Sequence, residues 1–208
     1  MLNFLFSDPF SFVIWAVALL AAIAVHEAAH AWAAEQLGDP TAKLQGRLTL
    51  NPLAHLDPIG TLMILFFRFG WGKPVPIDEY NLRYPRRDAA LISLAGPASN
   101  LILATILAVA TRGIQGLQGL LEPIIILSVS LAIFNLIPIH PLDGGKILVG
   151  FLPHRLADDV ENILQQYGLI LMIMLVVPFW GGTSPAISLI SPLINLILNL
   201  LLPGNIIT

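Results

Sequence analysis

Long apolar segments separated by short polar stretches constrain the fold of this 208-residue chain more than any other feature. A helix that crosses a bilayer needs about 20 predominantly apolar residues. The candidate segments are Phe10 to Ala34, Ala89 to Thr111, Pro123 to Ile137, Tyr167 to Trp180 and Ala186 to Leu202. Only 11% of the residues are charged, against about 25% in soluble domains. We therefore predict an all-α polytopic membrane protein with about five to six transmembrane helices, forming a single domain over residues 1–208.

Composition also excludes several classes of function. The chain contains no cysteine, which rules out disulfides, thiolate metal ligands and a cysteine nucleophile. Its net charge is −3, and no basic block indicates binding to nucleic acid. Any metal would have to be held by histidine, carboxylate or amide side chains. The sequence does not determine the oligomeric state.

Residues 39–87 differ from the apolar segments around them. They hold many turn-forming and basic residues and one short apolar piece, Ile59 to Phe67, which is too short to span a bilayer. Thr41 to Leu50 has weak strand character, and the prolines of Lys73 to Ile77 predict an extended backbone. We expect a small re-entrant or β-like element here, between the first two spanning helices.

The distribution of basic residues supports this arrangement. If the N-terminus lies outside and residues 59–67 do not cross, nine of the ten basic residues fall on the inside. These nine are Lys43, Arg47, Arg68, Lys73, Arg83, Arg86, Arg87, Lys146 and Arg155, whereas Arg112 falls outside. Cytoplasmic loops are typically rich in Lys and Arg. The pattern therefore favours a re-entrant segment and places residue 143 and the end of the first helix on the cytoplasmic side.

The chemistry is indicated by His26-Glu27-Ala28-Ala29-His30 within the first apolar segment. Residues four apart lie on one face of a helix, so both imidazoles can bind one metal ion. Glu27 can then accept a proton from a water molecule that the metal activates. Ionisable groups inside a membrane segment cost several kcal/mol unless they are paired. A divalent cation would compensate three of them, although pairing with polar groups of other helices is the alternative.

Two histidines leave a catalytic zinc site one protein ligand short, because such sites usually have three. Spacing alone does not select the third ligand. Asp143 and His140 lie on the predicted side of the membrane, and Asp143-Gly144-Gly145 can equally be a turn. The remaining candidates are Glu35, Asp39, His55, Asp57 and His154.

Four separated stretches, between about residues 20 and 155, resemble the site-2 protease family of intramembrane zinc proteases in its compact form without a PDZ domain. They are His26 to His30, Asn51-Pro52 through Asp57-Pro58-Ile59-Gly60, Ala95-Gly96-Pro97-Ala98-Ser99-Asn100, and Asn135-Leu136-Ile137-Pro138 running into Pro141-Leu142-Asp143-Gly144.

This resemblance implies that Asp143 is the third zinc ligand and that Glu27 is the catalytic base. It also implies that Asn100 and Asn135 lie near the active site, where they would orient the substrate backbone or stabilise the oxyanion. Asparagine in a membrane helix can also simply join helices. His55 and His140 are possible auxiliary groups, although an interfacial loop histidine with no role in catalysis is an equal reading of His55.

The sequence thus predicts a membrane-embedded zinc metalloendopeptidase with one Zn²⁺ per chain. Its partners would be the lipid bilayer and transmembrane protein substrates, cut within or near their membrane segments, as in regulated intramembrane proteolysis. We expect it in the plasma membrane with the active site toward the cytoplasm. A metal transporter would more typically carry several acidic or histidine sites along a path. A catalytically silent relative would not need Glu27.

Overall fold

The fold is a bundle of apolar helices, described by a computed structural model for residues 7–67, 72–114, 116–178 and 182–202. The α-helices are α1 Pro9–Gln36, α2 Thr41–Leu44, α3 Pro58–Phe67, α4 Pro85–Gly113, α5 Gln118–Asn135, α6 Asp143–Phe151, α7 His154–Val176 and α8 Pro185–Leu201. Two short 3₁₀ turns lie at Pro52–Ala54 and Glu79–Asn81. In the described part of the chain no strand is formed, and this agrees with the predicted all-α class.

Four of these helices, α1, α4, α5 and α7, are long and apolar enough to cross a membrane. Helix α8 is apolar but has 17 residues. The prediction of about five to six spanning segments therefore corresponds to four spans and one shorter apolar helix among the described residues. The chain is an integral membrane protein.

The starts of the helices follow from local sequence. The Asp8 carboxylate accepts a hydrogen bond from the Ser11 backbone N–H at 3.1 Å, and a proline follows at the first position of α1. Ser184 caps α8 in the same way, through Ile187 N–H at 3.3 Å. The side chain before the proline accepts a hydrogen bond from a free backbone N–H of the first helical turn. Proline suits the first helical position because it has no N–H that would be left unpaired.

Small residues let the central helices approach closely. On α1, Ala18, Ala22, Ala31 and Ala34 are completely buried, and the helix packs against α4 and α5. Because lipid is as apolar as leucine, membrane helices associate largely through such close contacts. A second buried cluster joins α4, α5 and α8, and it consists of Ala104, Ala108, Ile125, Val129, Ile133, Leu198 and Leu202.

In the block between α1 and α4, the chain before α3 and the chain after it lie side by side. Leu56 and Gly72 form an isolated antiparallel bridge, and Lys73 N–H donates to the His55 carbonyl at 2.8 Å. The ends of the segment that contains α3 are thus adjacent. Helix α3 has ten residues, or roughly 15 Å at 1.5 Å per residue. Adjacent ends are what the predicted re-entrant segment requires.

Two sequence predictions need correction. Thr41 to Leu50 is not a strand, because α2 occupies Thr41–Leu44 and turns follow it. The predicted span Tyr167 to Trp180 corresponds to α7, which begins at His154; Trp180 itself lies outside the described residues.

Candidate metal centre

Three side chains from two distant parts of the sequence converge at the centre of the bundle. His26 and His30 lie on one face of α1, and Asp143 is the first residue of α6. His26 Nε2 lies 3.1 Å from Asp143 Oδ2, and His30 Nε2 lies 3.3 Å from the same oxygen. Both histidines are buried. Each of the three residues offers one ligand atom, and these atoms all lie within 4.8 Å of one another. The described residues therefore contain a cluster of His and Asp side chains that can hold a metal ion.

The spacing of these atoms suits zinc. A tetrahedral zinc ion with ligand bonds of about 2.0–2.1 Å has ligand atoms roughly 3.3–3.4 Å apart. The two measured distances are close to that value. Two imidazole nitrogens and one carboxylate oxygen are also a ligand set that zinc accepts in catalytic sites. The donor set therefore fits the ion.

The outer nitrogens of both imidazoles are fixed by α4. His30 Nδ1–H donates to the Ile92 carbonyl at 2.7 Å, which leaves the lone pair on Nε2 for the metal. His26 Nδ1 lies 3.3 Å from Asn100 Nδ2. Asn100 is completely buried, and its Oδ1 has no hydrogen-bond partner among the described residues. A 180° turn of this amide would place Oδ1 on a protonated His26 Nδ1, the arrangement that metal-ligating histidines typically have.

Gly96 makes this packing possible. A Cβ atom at this position would lie 2.4 Å from His30 Nε2 and 2.7 Å from His26 Cε1. The sequence shows a run of small residues from Ala95 to Ser99, but it does not reveal that the close approach is to the imidazoles.

Gly144 allows a similar close approach on the other side of the site. A Cβ there would lie 2.2 Å from the Ile137 carbonyl oxygen. A side chain at this position would collide with a backbone group, so the glycine permits the turn that brings Asp143 to the two histidines.

Glu27 is half-buried beside His26 and faces the block between α1 and α4. Its carboxylate interacts with the Val75 backbone N–H and with the charge of Arg47. A Cβ at Gly72 would lie 3.9 Å from Glu27 Oε1. The backbone at Gly72 therefore lies alongside the predicted base.

The contacts of the other predicted residues are with groups outside this convergence. Asn135 Nδ2 donates to the Leu131 carbonyl of its own helix at 3.0 Å. The half-buried His140 has its backbone against α7, where a Cβ at Gly168 would lie 2.6 Å from the His140 carbonyl oxygen.

His55 is completely buried and holds loop backbone. Its Nε2–H donates to the Thr49 carbonyl at 2.8 Å. Burial lowers the pKa of His55, the Thr49 carbonyl raises it, and the nearby Arg47 charge lowers it further. The net decrease favours the neutral imidazole at physiological pH.

A membrane-embedded helical bundle with a buried His-His-Asp constellation and an adjacent glutamate is typical of an intramembrane metallopeptidase. The model of peptidase family M50 matches residues 112–175. "Putative zinc metalloprotease YwhC" of Bacillus subtilis is 39% identical over 178 residues, which are 80% of this chain and 81% of that protein.

"Putative zinc metalloprotease Rip2" of Mycolicibacterium smegmatis is 29% identical over 80% of this chain and 67% of its own length. The Rip2 protein of Mycobacterium tuberculosis is 31% identical over 79% of this chain and 66% of its own. No solved structure matches the chain. The chain belongs to peptidase family M50, the site-2 protease family, and is a zinc metalloprotease.

Proposed function

We propose that this protein hydrolyses peptide bonds within or near transmembrane segments of other membrane proteins, and that residues 1–208 form one intramembrane protease domain. The observation that carries the proposal is the convergence of His26, His30 and Asp143 inside a bundle whose first helix is long and apolar enough to span the bilayer. Buried ionisable groups at such a position are rare without a functional role.

We assign His26, His30 and Asp143 as the zinc ligands and Glu27 as the general base. When bound, zinc polarises a scissile carbonyl and makes a water molecule more acidic. Glu27 accepts the proton from that water and then delivers it to the leaving amine. The position of Glu27, one residue after a ligand and on the side of the extended Gly72 backbone, supports this assignment.

Asn100 and Asn135 receive different proposed roles. Asn100 is completely buried and faces His26, which supports a role in orienting that ligand. The proposed contact of Asn135 with substrate or oxyanion depends on the family resemblance, because its observed hydrogen bond is to its own helix. The contacts of His55 and His140 support structural roles.

Substrate helices must unwind before cleavage, since helical carbonyls are hydrogen-bonded and shielded. The segment from Lys73 to Ile77, for which its prolines predict an extended backbone, follows the Gly72 backbone beside Glu27. We propose that it pairs with an unwound segment by strand addition. We further propose that the protein resides in the plasma membrane with this site toward the cytoplasm. The placement of nine of ten basic residues on one side of the predicted topology supports that orientation.

The direct test is cleavage of single-span membrane proteins, co-reconstituted with purified enzyme in phospholipid vesicles. The wild type is expected to give products whose new termini, determined by mass spectrometry, map within or next to the hydrophobic segment. Glu27→Gln, which keeps all three proposed ligands, is the matched control and should give no product. Equal cleavage by the control would contradict the assignment of the base.

A further inference from the structure

Arg47 is a buried cation in the loop between α2 and the Pro52–Ala54 turn, and it is only 4% exposed. Its two terminal nitrogens donate to the carbonyls of Ala54 and Lys73, one on each side of the re-entrant segment. Arginine is rarely this buried unless its charge and its donors have partners. The residue therefore joins the chain before α3 to the chain after it.

The strand-like backbone that Arg47 holds has few hydrogen bonds of its own. Pro74 and Pro76 have no N–H to donate. Lys73 N–H reaches the His55 carbonyl, and its carbonyl is taken by Arg47. The guanidinium thus adds to the backbone pairing of Gly72 and Lys73 in fixing this segment.

This same segment contacts the proposed base. A Cβ at Gly72, the residue before the Lys73 carbonyl that Arg47 binds, would lie 3.9 Å from Glu27 Oε1. Val75 N–H and the Arg47 charge act on the same carboxylate. Arg47 therefore holds backbone that lies against the Glu27 carboxylate.

The loop does not use all the donors of the guanidinium. Arg47 Nε is buried and has no hydrogen-bond partner among the described residues. An arginine that served only to close a loop would be expected to have its buried donors satisfied. Closing the loop therefore does not account for this buried donor.

We propose that Arg47 is a positioning residue for proteolysis: by binding the Ala54 and Lys73 carbonyls it holds Val75 N–H against Glu27. This inference rests on the proposed function, since it assigns a means of orienting the base. It predicts that losing Arg47 impairs the chemical step while zinc remains bound, and that Arg47 and Val75 act as one unit.

The experiment compares Arg47→Met, which keeps the length of the side chain, with Val75→Pro, which removes the N–H, and with the double variant. Arg47→Lys keeps the charge but not the two-pronged contact. Lys43→Met, at an exposed cation paired with Glu35, is the matched control. Each protein is assayed for bound zinc, for kcat and KM on a quenched-fluorescent single-span peptide, and for affinity toward a peptidyl hydroxamate that chelates zinc and contacts the base.

We expect Arg47→Met to lower kcat per bound zinc by about 10- to 100-fold, the scale of losing one preorganised electrostatic contact. Bound zinc should change by less than about threefold, Arg47→Lys should recover part of the loss, and Lys43→Met should match the wild type. Residues that act as a unit give non-additive losses. The double variant should therefore be no worse than the poorer single variant.

Multiplied losses in the double variant would overturn the proposal, because they would show that Arg47 and Val75 act independently. The proposal also fails if Arg47→Met retains its activity, or if the activity of this variant falls only in proportion to its bound zinc. If the wild type and Glu27→Gln are equally inactive on the peptide, the proposed function fails instead. The hydroxamate then decides for Arg47: weaker binding by zinc-loaded Arg47→Met supports the positioning role, and unchanged binding rejects it.

Discussion

At the scale of single residues, the metal site depends on the missing side chain at Gly96. A methyl group there would overlap both imidazoles, and the Ile92 carbonyl prevents His30 from moving away. We expect Gly96→Ala to weaken zinc binding by at least about tenfold, as disturbed outer contacts of metal ligands typically do. Competition with a chromophoric chelator measures this. Gly119→Ala is the control, because a Cβ at Gly119 has no heavy atom within 4 Å among the described residues.

Asn100 offers a second test at this scale. If its Oδ1 accepts from His26 Nδ1–H, Asn100→Ala should weaken zinc affinity by about 10- to 100-fold. Asn100→Asp should bind zinc better than the alanine variant, because a carboxylate is also an acceptor for a ligating imidazole. An aspartate variant that binds no better than alanine would instead indicate that Asn100 donates to His26 through Nδ2.

The residues at the site were predictable to different degrees. The helical period places His26 and His30 on one face of α1, and the sequence suffices for that pair. The proposed third ligand lies in another element, so spacing left Asp143, His140 and the other candidates open. In the structure Asp143 lies beside both imidazoles, whereas His140 packs against α7. Arg47 enters the sequence prediction only as one of the nine inside basic residues, since nothing in the sequence shows that its side chain turns inward.

At the scale of elements, apolar length predicted the spanning helices well but their ends less well. Helix α7 begins at His154 because its first turns are polar and still helical, with Asp158 and Glu161 beside Arg86. A search for apolar runs detects only the second half of such a helix. The predicted strand from Thr41 fails for a local reason: Asp39 accepts hydrogen bonds from the backbone and hydroxyl of Thr41 and favours a turn.

Asp39 also connects two elements, and the connection should depend on pH. The buried carboxylate accepts from Asn81 Nδ2 at 2.9 Å and from Asp78 N–H at 2.8 Å. Burial raises the pKa of Asp39, but the hydrogen bonds from Thr41, Asn81 and Asp78 outweigh it, so the pKa lies below the ordinary 3.8. A carboxyl with a depressed pKa stabilises the fold above its unfolded value, and this contribution is lost as pH falls through the folded value.

Asp39→Asn should therefore lower the free energy of unfolding near pH 7 by about 1–2 kcal/mol, the cost of losing acceptors for buried donors. Thermal unfolding of zinc-free protein in detergent compares the variant with the wild type at pH 7 and at pH 3. The difference in Tm should shrink below pH 4. A constant difference across this range would show that the charge of Asp39 does not contribute.

At the scale of the whole molecule, the predicted topology can be tested because the chain has no native cysteine. Tyr80 is 99% exposed, in the block assigned to the cytoplasm. Gly113 is exposed at the other end of α4. We expect Gly113→Cys to react with a membrane-impermeant maleimide in intact cells, and Tyr80→Cys to react only after permeabilisation. The reverse pattern would invert the orientation of the active site.

The central claim is that His26, His30 and Asp143 together hold one zinc ion within the bundle. The most direct measurement is the amount of metal per chain, by elemental analysis of detergent-purified wild type and Asp143→Ala after zinc loading. We predict about one zinc per chain for the wild type, with three protein ligands as catalytic sites usually have, and loss or clear weakening in the variant. A wild type that remains metal-free, or a variant that binds zinc as tightly as the wild type, would contradict this account of the site.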